Sequence, residues 1–339
     1  MLTDPSVFDE GWVPGDLDDT RDAETTALSS ALMPLANGTS PQPVLIAGPP
    51  GTGKTATSRF VLDDLRTHTP TATAYIDTWT HHRPYQTFGR LLDELGSPRL
   101  VQPQTPLTVL RQDVRDARPG QGVVVVLDEA DQLDTLDIVE HLDAMMGVAL
   151  VLVVNDRARY ETRLRDAGIE LGATIPYEPY SVQELVGILK SRAHAGLDPR
   201  VCRDDRLWEL SREAGGNARE AIQGLRAAAD HARHEGHTVI TPSDVSAGLS
   251  AARDRIRRKT RSRLHRHERV VLDIVEDLGD ASRTDIYAAY RERVGEQEAN
   301  GERRVGDYLS KLESYNQIKA VGESRARTYQ PVEVWDSPS

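Results

Sequence analysis

Lysine is nearly missing from this chain. Only five of its 41 basic residues are lysines, at 54, 190, 259, 311 and 319, and 36 are arginines. Arginine makes bidentate contacts to phosphate and carboxylate that lysine cannot, although G+C-rich coding produces the same bias. Cysteine occurs once, at Cys202. That excludes an internal disulfide and a thiolate metal site built by this chain alone, and Cys202 reads as a small, part-buried side chain. Long hydrophobic runs are absent. The longest, VVVVL at 123–127 and ALVLVV at 149–154, fall far short of the roughly 18–20 residues of a membrane helix. The first ten residues, MLTDPSVFDE, are acidic and have no apolar core, so they do not read as a secretory signal. No internal repeat or long low-complexity tract is found. The chain reads as cytosolic, with no membrane partner.

What is present is size and an uneven distribution of charge. The 339 residues suffice for two or three domains with real cores. The net charge is -12 overall, but residues 251–339 carry +2 and the rest -14. The two regions are electrostatically different objects. Positive charge is densest at 253–269, with nine basic residues against Asp254 and Glu268.

Residues 1–41 are polar and turn-rich and end in ANGTSPQP, a connector. The strand PVLIAG follows, then glycines and a helical pattern, then a second strand at 71–77. RPYQTFGRLLDELG is predicted as a helix stopped by Gly96, and LTVLRQDVRDA as a short helix in the proline-broken stretch 97–120. The two continuous apolar strands at 123–127 and 149–154, alternating with helices, indicate a parallel sheet buried on both faces. From Ser181 the pattern is helical, and SVQE and TPSD mark two capped helix starts. After the basic stretch, three helices at about 265–278, 282–294 and 301–314 precede a strand-like end. That is the pattern of a winged helix-turn-helix.

GPPGTGKTA, at 48–56, fits a phosphate-binding loop placed after a strand and opening a helix. Pro50, Gly51, Thr52, Gly53, Lys54, Thr55 and Ala56 are the candidate contacts to nucleotide. Glycines let backbone N–H groups approach the phosphates, Lys54 neutralises their oxygens, and Thr55 ligates Mg2+. VVVVLDEAD supplies Asp128 for Mg2+ and Glu129 to orient the attacking water. Asn155 ends the next strand, where its amide could position that water. In GGNAREAI, Arg219 lies in the first turn of a helix and is a candidate contact to the γ-phosphate. The cofactors expected are ATP or ADP and Mg2+.

Taken in order, these elements resemble an AAA+ ATPase. WVPGDLDDTRDAE, GPPGTGKTA, VVLDEADQL, YEPYSVQEL and GGNAREAIQGLRAAADHA resemble one group more specifically. It is the archaeal origin-recognition initiators, related to the eukaryotic origin recognition complex and the cell-division-control helicase loader. The resemblance covers nearly the whole chain. It implies an AAA+ phosphate-loop α/β domain at 1–180, a helical lid at 181–258 and a winged-helix DNA-binding domain at 259–339. It further implies that Tyr180 lies against the adenine with Arg192 near the nucleotide, and that Val13 and Arg21 line the adenine side. The family's arginine finger falls at Arg165. There the family has an arginine followed by paired serines and this chain has LRDAGI, so Arg163 and Arg159 remain alternatives. The insertion at 97–120, with Arg99, Arg111 and Arg115, is expected to reach DNA.

A winged helix reads the major groove with its third helix and lays its hairpin on the backbone. Arg303, Arg304 and Lys311 on that helix, with Arg325 and Arg327 in the hairpin, are the DNA candidates. Arg257, Arg258, Arg261 and Arg263 are expected to track phosphates. The implied function is an ATP-dependent initiator, monomeric in solution and assembling on double-stranded origin DNA. It would use slow hydrolysis as a switch and have a replicative helicase as partner. An ATP-gated transcriptional or plasmid-maintenance regulator without a helicase partner fits the same residues. So does an ATPase acting on protein partners.

Overall fold

Every second residue of three neighbouring strands enters one core and the residues between enter another. This is seen in a computed structural model of the chain, which describes residues 1–9, 11–12, 19–97, 100–118, 120, 122–322 and 327–332. It falls into two compact units. The first holds residues 9–188 and 215–218. In chain order it contains α1 (Asp22–Ala36), β1 (Val44–Ala47), α2 (Lys54–His68), β2 (Ala72–Asp77), α3 (Pro84–Glu94), α4 (Leu107–Ala117), β3 (Val123–Asp128), α5 (Asp137–Asp143), β4 (Val148–Val154), α6 (Arg157–Asp166) and β5 (Ala173–Pro176).

The strands form one parallel sheet in the order β2-β3-β4-β1-β5. Side chains alternate across a strand. Leu45, Val125, Leu127, Leu150 and Leu152 therefore pack with α3 to α6 through Phe88, Leu91, Leu110, Val139 and Leu164. Val44, Ile46, Val124, Val126, Val151 and Val153 face the other way, onto Leu28 and Leu32 of α1 and Val61 and Leu62 of α2. Register then brings the carboxyl ends of β1, β3 and β4 level, since Ala47 pairs with Val154 and Leu127 with Leu152. In an open parallel sheet that edge, where the strand order reverses, is where ligands bind.

The turn-rich reading of 1–41 is corrected in part, because α1 occupies Asp22–Ala36 ahead of the ANGTSPQP connector. Its buried Leu28, Leu32 and Leu35 recur at the spacing of one helical face. Pro34 and the polar residues between them mask that pattern. The short strand β5 was also not expected.

The second unit holds residues 1–8, 189–214 and 219–339. Helices α7 (Val182–Gly196), α8 (Asp204–Glu213), α9 (Ala218–His234) and α10 (Pro242–Arg263) form the lid, the division between units falling within α7. Both expected caps are present. Ser181 Oγ accepts from the Glu184 amide at 3.3 Å, and Thr241 forms a capping box with Asp244. The first residues of the chain belong to this unit. Leu2 bridges to Leu197, Phe8 is fully buried, and Gln223 Nε2 donates to the Phe8 carbonyl at 2.7 Å.

The C-terminal part comprises α11 (Arg266–Leu278), β6 (Ala281–Ser282), α12 (Arg283–Val294), α13 (Glu302–Ser314), β7 (Ile318–Val321) and β8 (Thr328–Pro331). The strands form an antiparallel sheet in the order β6-β8-β7. Val271, Val275, Ile286, Tyr290, Val305, Leu309 and Leu312 are buried. The passage from lid to C-terminal part expected at 258/259 lies inside α10, which continues to Arg263.

Candidate nucleotide site and nucleic-acid interface

The phosphate loop has the backbone its sequence demands. Gly51 and Gly53 have φ of +80° and +92°, the left-handed region that glycine enters without a Cβ penalty. A Cβ on Gly51 would also meet Asn217 Oδ1 at 1.9 Å, and one on Gly53 would meet the Tyr180 hydroxyl at 2.2 Å. Gly53 then caps α2, so the helix opens directly on Lys54 and Thr55. Pro50 and Ala56 are half-buried on either side, and Thr52 is buried, its hydroxyl donating to the Pro49 carbonyl at 2.9 Å.

Lys54 is buried, and its ammonium donates to the Gly48 and Pro49 carbonyls at 2.6 and 2.7 Å and to Asn155 Oδ1 at 3.0 Å. An ammonium has three donors, so the loop and the end of β4 satisfy all of them. Thr55 donates its hydroxyl to Asp128 Oδ2 at 2.9 Å. Its one proton is thereby committed and its lone pairs are left for a cation. Among the described residues there is no cluster of three or more His, Cys, Asp or Glu that could hold a metal. A hard cation at Thr55 and Asp128 would take its other ligands from phosphate and water, as Mg2+ does. The residues fit that group.

Glu129 has φ +59°, one of two non-glycine residues in the left-handed region among those described. Such strain collects at functional sites. It is held here by the Thr78 hydroxyl, whose one proton is shared between the carbonyls of Asp128 at 2.8 Å and Glu129 at 2.6 Å, and by the Glu129 amide, which donates to Asp128 Oδ1 at 3.0 Å.

Arg21 and Tyr180 are brought together over the loop. The Arg21 guanidinium lies 4.0 Å from the Tyr180 ring centroid and 5.1 Å from that of Tyr177. It donates to the Thr52 carbonyl at 3.1 Å, the Glu178 carbonyl at 2.7 Å and Glu24 at 2.6 Å. Burial pushes the Tyr180 hydroxyl up, with Arg21 pulling against it.

Residues 215–218 join this unit, and the Ala218 amide donates to the Gly51 carbonyl at 2.9 Å. Arg219 is the next residue, in the first turn of α9. Arg192 is buried in the other unit and donates to the Val7 carbonyl. Val13 lies outside the described residues, as does Arg99.

On α6, Arg165 and Arg159 are exposed, whereas Arg163 donates to the Leu133 carbonyl at 2.8 Å. Sequence reasoning missed Tyr75, Thr78 and Asn217. Asn217 sits inside the GGNAREAI motif, beside the arginine that drew notice; Tyr75 and Thr78 had no local signal.

The basic candidates differ in surroundings. Arg258, Arg303 and Arg304 are exposed, and Arg263 is partly so. Arg257 is 3.9 Å from Asp254. Arg261 binds Glu276 at 2.8 Å and Asp273 at 2.5 Å. Arg327 pairs with Glu313 at 2.7 Å and lies over Tyr329. Lys311 faces inward, its ammonium 2.6 Å from Glu268, which is 3% exposed. Arg325 lies outside the described residues. In the insertion, Arg111 pairs with Asp137 at 3.2 Å. No described helix is long and apolar enough to cross a membrane.

Comparison with known proteins agrees with this geometry. Residues 20–154 match the AAA ATPase domain family and residues 186–250 the Cdc6 AAA+ ATPase-type lid domain. ORC1-type DNA replication protein 9 of Halobacterium salinarum is 31% identical over 337 residues, 98% of this chain and 94% of that one. ORC1-type DNA replication protein 1 of the same organism is 33% identical over 300 residues, 86% of this chain and 95% of that one. Among solved structures, the ORC1 protein of Aeropyrum pernix in complex with DNA aligns with a TM-score of 0.72 at 25% identity. That match covers 97% of this chain and 92% of the other. With a relative above 30% identity along almost its full length, and an AAA+ site assembled at the carboxyl ends of β1, β3 and β4, the chain belongs to the ORC1-type DNA replication protein family.

Proposed function

We propose that the chain is an ATP-dependent, DNA-binding replication initiator that recognises origins and helps recruit the replicative helicase. The observation that carries this reading is the pairing of Lys54 with Asn155 and of Thr55 with Asp128, in a chain similar end to end to ORC1-type relatives. Lys54 would exchange its carbonyl partners for phosphate oxygens, a stronger, charge-assisted contact. Asn155, released from Lys54, would position water beside the γ-phosphate, and Glu129 would polarise it. Thr55 and Asp128 would hold Mg2+, which would neutralise phosphate charge there. Tyr180, Arg21, Val13 and Arg192 are proposed on the nucleotide side, Arg219 as the γ-phosphate sensor and Arg165 as the finger offered to a neighbouring copy. Hydrolysis is proposed to be slow and to reset a two-state switch.

The C-terminal region is proposed to be a winged helix, with α13 as reading helix and β7–β8 as wing. Arg303 and Arg304 would contact DNA on α13, and Arg325 and Arg327 on the wing. Arg257, Arg258, Arg261 and Arg263 would follow phosphates. Lys311, paired with Glu268, would support α13 from behind. Mapping the protein on its own chromosome tests the reading. Occupancy at replication start points supports it, and occupancy confined to scattered promoters would replace it with a transcriptional regulator.

A further inference from the structure

Thr55 is not the only hydroxyl on the metal-site carboxylate. Asp128 Oδ2 also accepts a hydrogen bond from the Tyr75 hydroxyl. Tyr75 lies on β2, the strand beside β3, in register with Val126. Above its ring, 4.2 Å from the centroid, lies the Arg59 guanidinium. Arg59 is four residues after Thr55 on α2, so one face of that helix presents both groups. Asp128 Oδ1 is taken by the Glu129 amide at 3.0 Å. Three donors from three segments thus converge on one carboxylate, and a cation steadies the ring that carries one of them.

A carboxylate's terminal torsion is broad and two-fold, so these donors set its orientation. That orientation keeps the Thr55 proton on Asp128.

We propose that Tyr75, steadied by Arg59, is a positioning residue for the magnesium–nucleotide complex, locking Asp128 so that Thr55 remains available to the cation. The proposal rests on the nucleotide reading of the site. It concerns the metal-dependent part of binding and leaves the metal-independent part to the loop and Lys54.

The test is equilibrium binding of a fluorescent ATP analogue to the full chain, first in EDTA and then across a MgCl2 titration. In Tyr75→Phe the Mg2+ midpoint should rise about 10-fold, the scale of losing a partner behind a metal ligand, with affinity in EDTA unchanged. Arg59→Gln, a substitution on an exposed position, should raise the midpoint in the same direction by less. Equal midpoints in wild type and Tyr75→Phe overturn the proposal. So does a parallel loss of affinity with and without Mg2+, which marks a packing role alone. Should Tyr75→Phe fail to fold, an unchanged midpoint in Arg59→Gln overturns it. A wild-type chain that binds no nucleotide overturns the reading of the site, and this proposal with it.

Discussion

The nucleotide unit and the C-terminal region use charge in opposite ways. In the first, Arg21, Lys54 and Asp128 are 7%, 7% and 8% exposed, and each is held by specific donors or acceptors. In the second, several arginines pair with carboxylates at the surface, Lys311 with Glu268 being a buried exception. The surface pairs include Arg261 with Glu276, Arg266 with Glu298, Arg293 with Asp277 and Arg327 with Glu313. Exposed pairs contribute only about 0–1 kcal/mol each, so such arginines can leave a carboxylate for a phosphate at little cost. A buried charge cannot simply let its partner go, because that strands it away from water; it changes partners only when a new one arrives in the same place. Net charge of -12 therefore says little about DNA. What matters is which cations are free to change partners.

The largest effect should come from breaking the buried side. Lys54→Ala removes the loop's only ammonium and should weaken ATP binding by at least about 100-fold, since hydrogen bonds to charged groups contribute about 1.5–3 kcal/mol each. Calorimetric titration checks this, and near-wild-type affinity would remove Lys54 from the site. Glu129→Gln keeps size and hydrogen bonding but loses the charge. It should bind ATP normally and turn over about 100-fold more slowly, the lower end for a general base; single-turnover hydrolysis decides.

Lys311→Met sharpens the comparison within the C-terminal region. It leaves Glu268 buried without its ammonium, and the cost expected is about 2–3 kcal/mol, somewhat below that of breaking a fully buried pair. Denaturant unfolding measures it, and a change no larger than that of Arg327→Gln would erase the distinction between the two kinds of pair. The smallest effect per residue is expected from replacing Arg257, Arg258, Arg261 and Arg263 together with glutamine. Affinity should fall about equally for all duplex sequences, and the salt slope should flatten by about one for each phosphate no longer neutralised. Loss of sequence preference with an unchanged slope would assign these residues to base reading instead.

Legibility followed the range of the interaction. The loop's glycines, the caps at Ser181 and Thr241 and the buried runs of β3 and β4 were readable because each depends on a few adjacent residues. The helix α1 was hidden because its three buried leucines are set among threonines, serines and a proline. The two-residue strand β6 has too little sequence to carry a pattern. Lys311 read as an outward cation, since its spacing places it off the Val305, Leu309 and Leu312 face, yet Glu268 on another helix turns it inward.

The sequence by itself determined the nucleotide chemistry and the family, because a phosphate loop needs its glycines, lysine and threonine in consecutive positions. Tertiary structure alone decided which groups hold that chemistry in place. Tyr75 reaches Asp128 across 53 residues, Lys54 reaches Asn155 across 101, and Gln223 reaches Phe8 across 215. No local pattern encodes such pairs. They arise when strand register and helix packing bring distant side chains to one place, and a buried polar group there must find its partner or destabilise the fold.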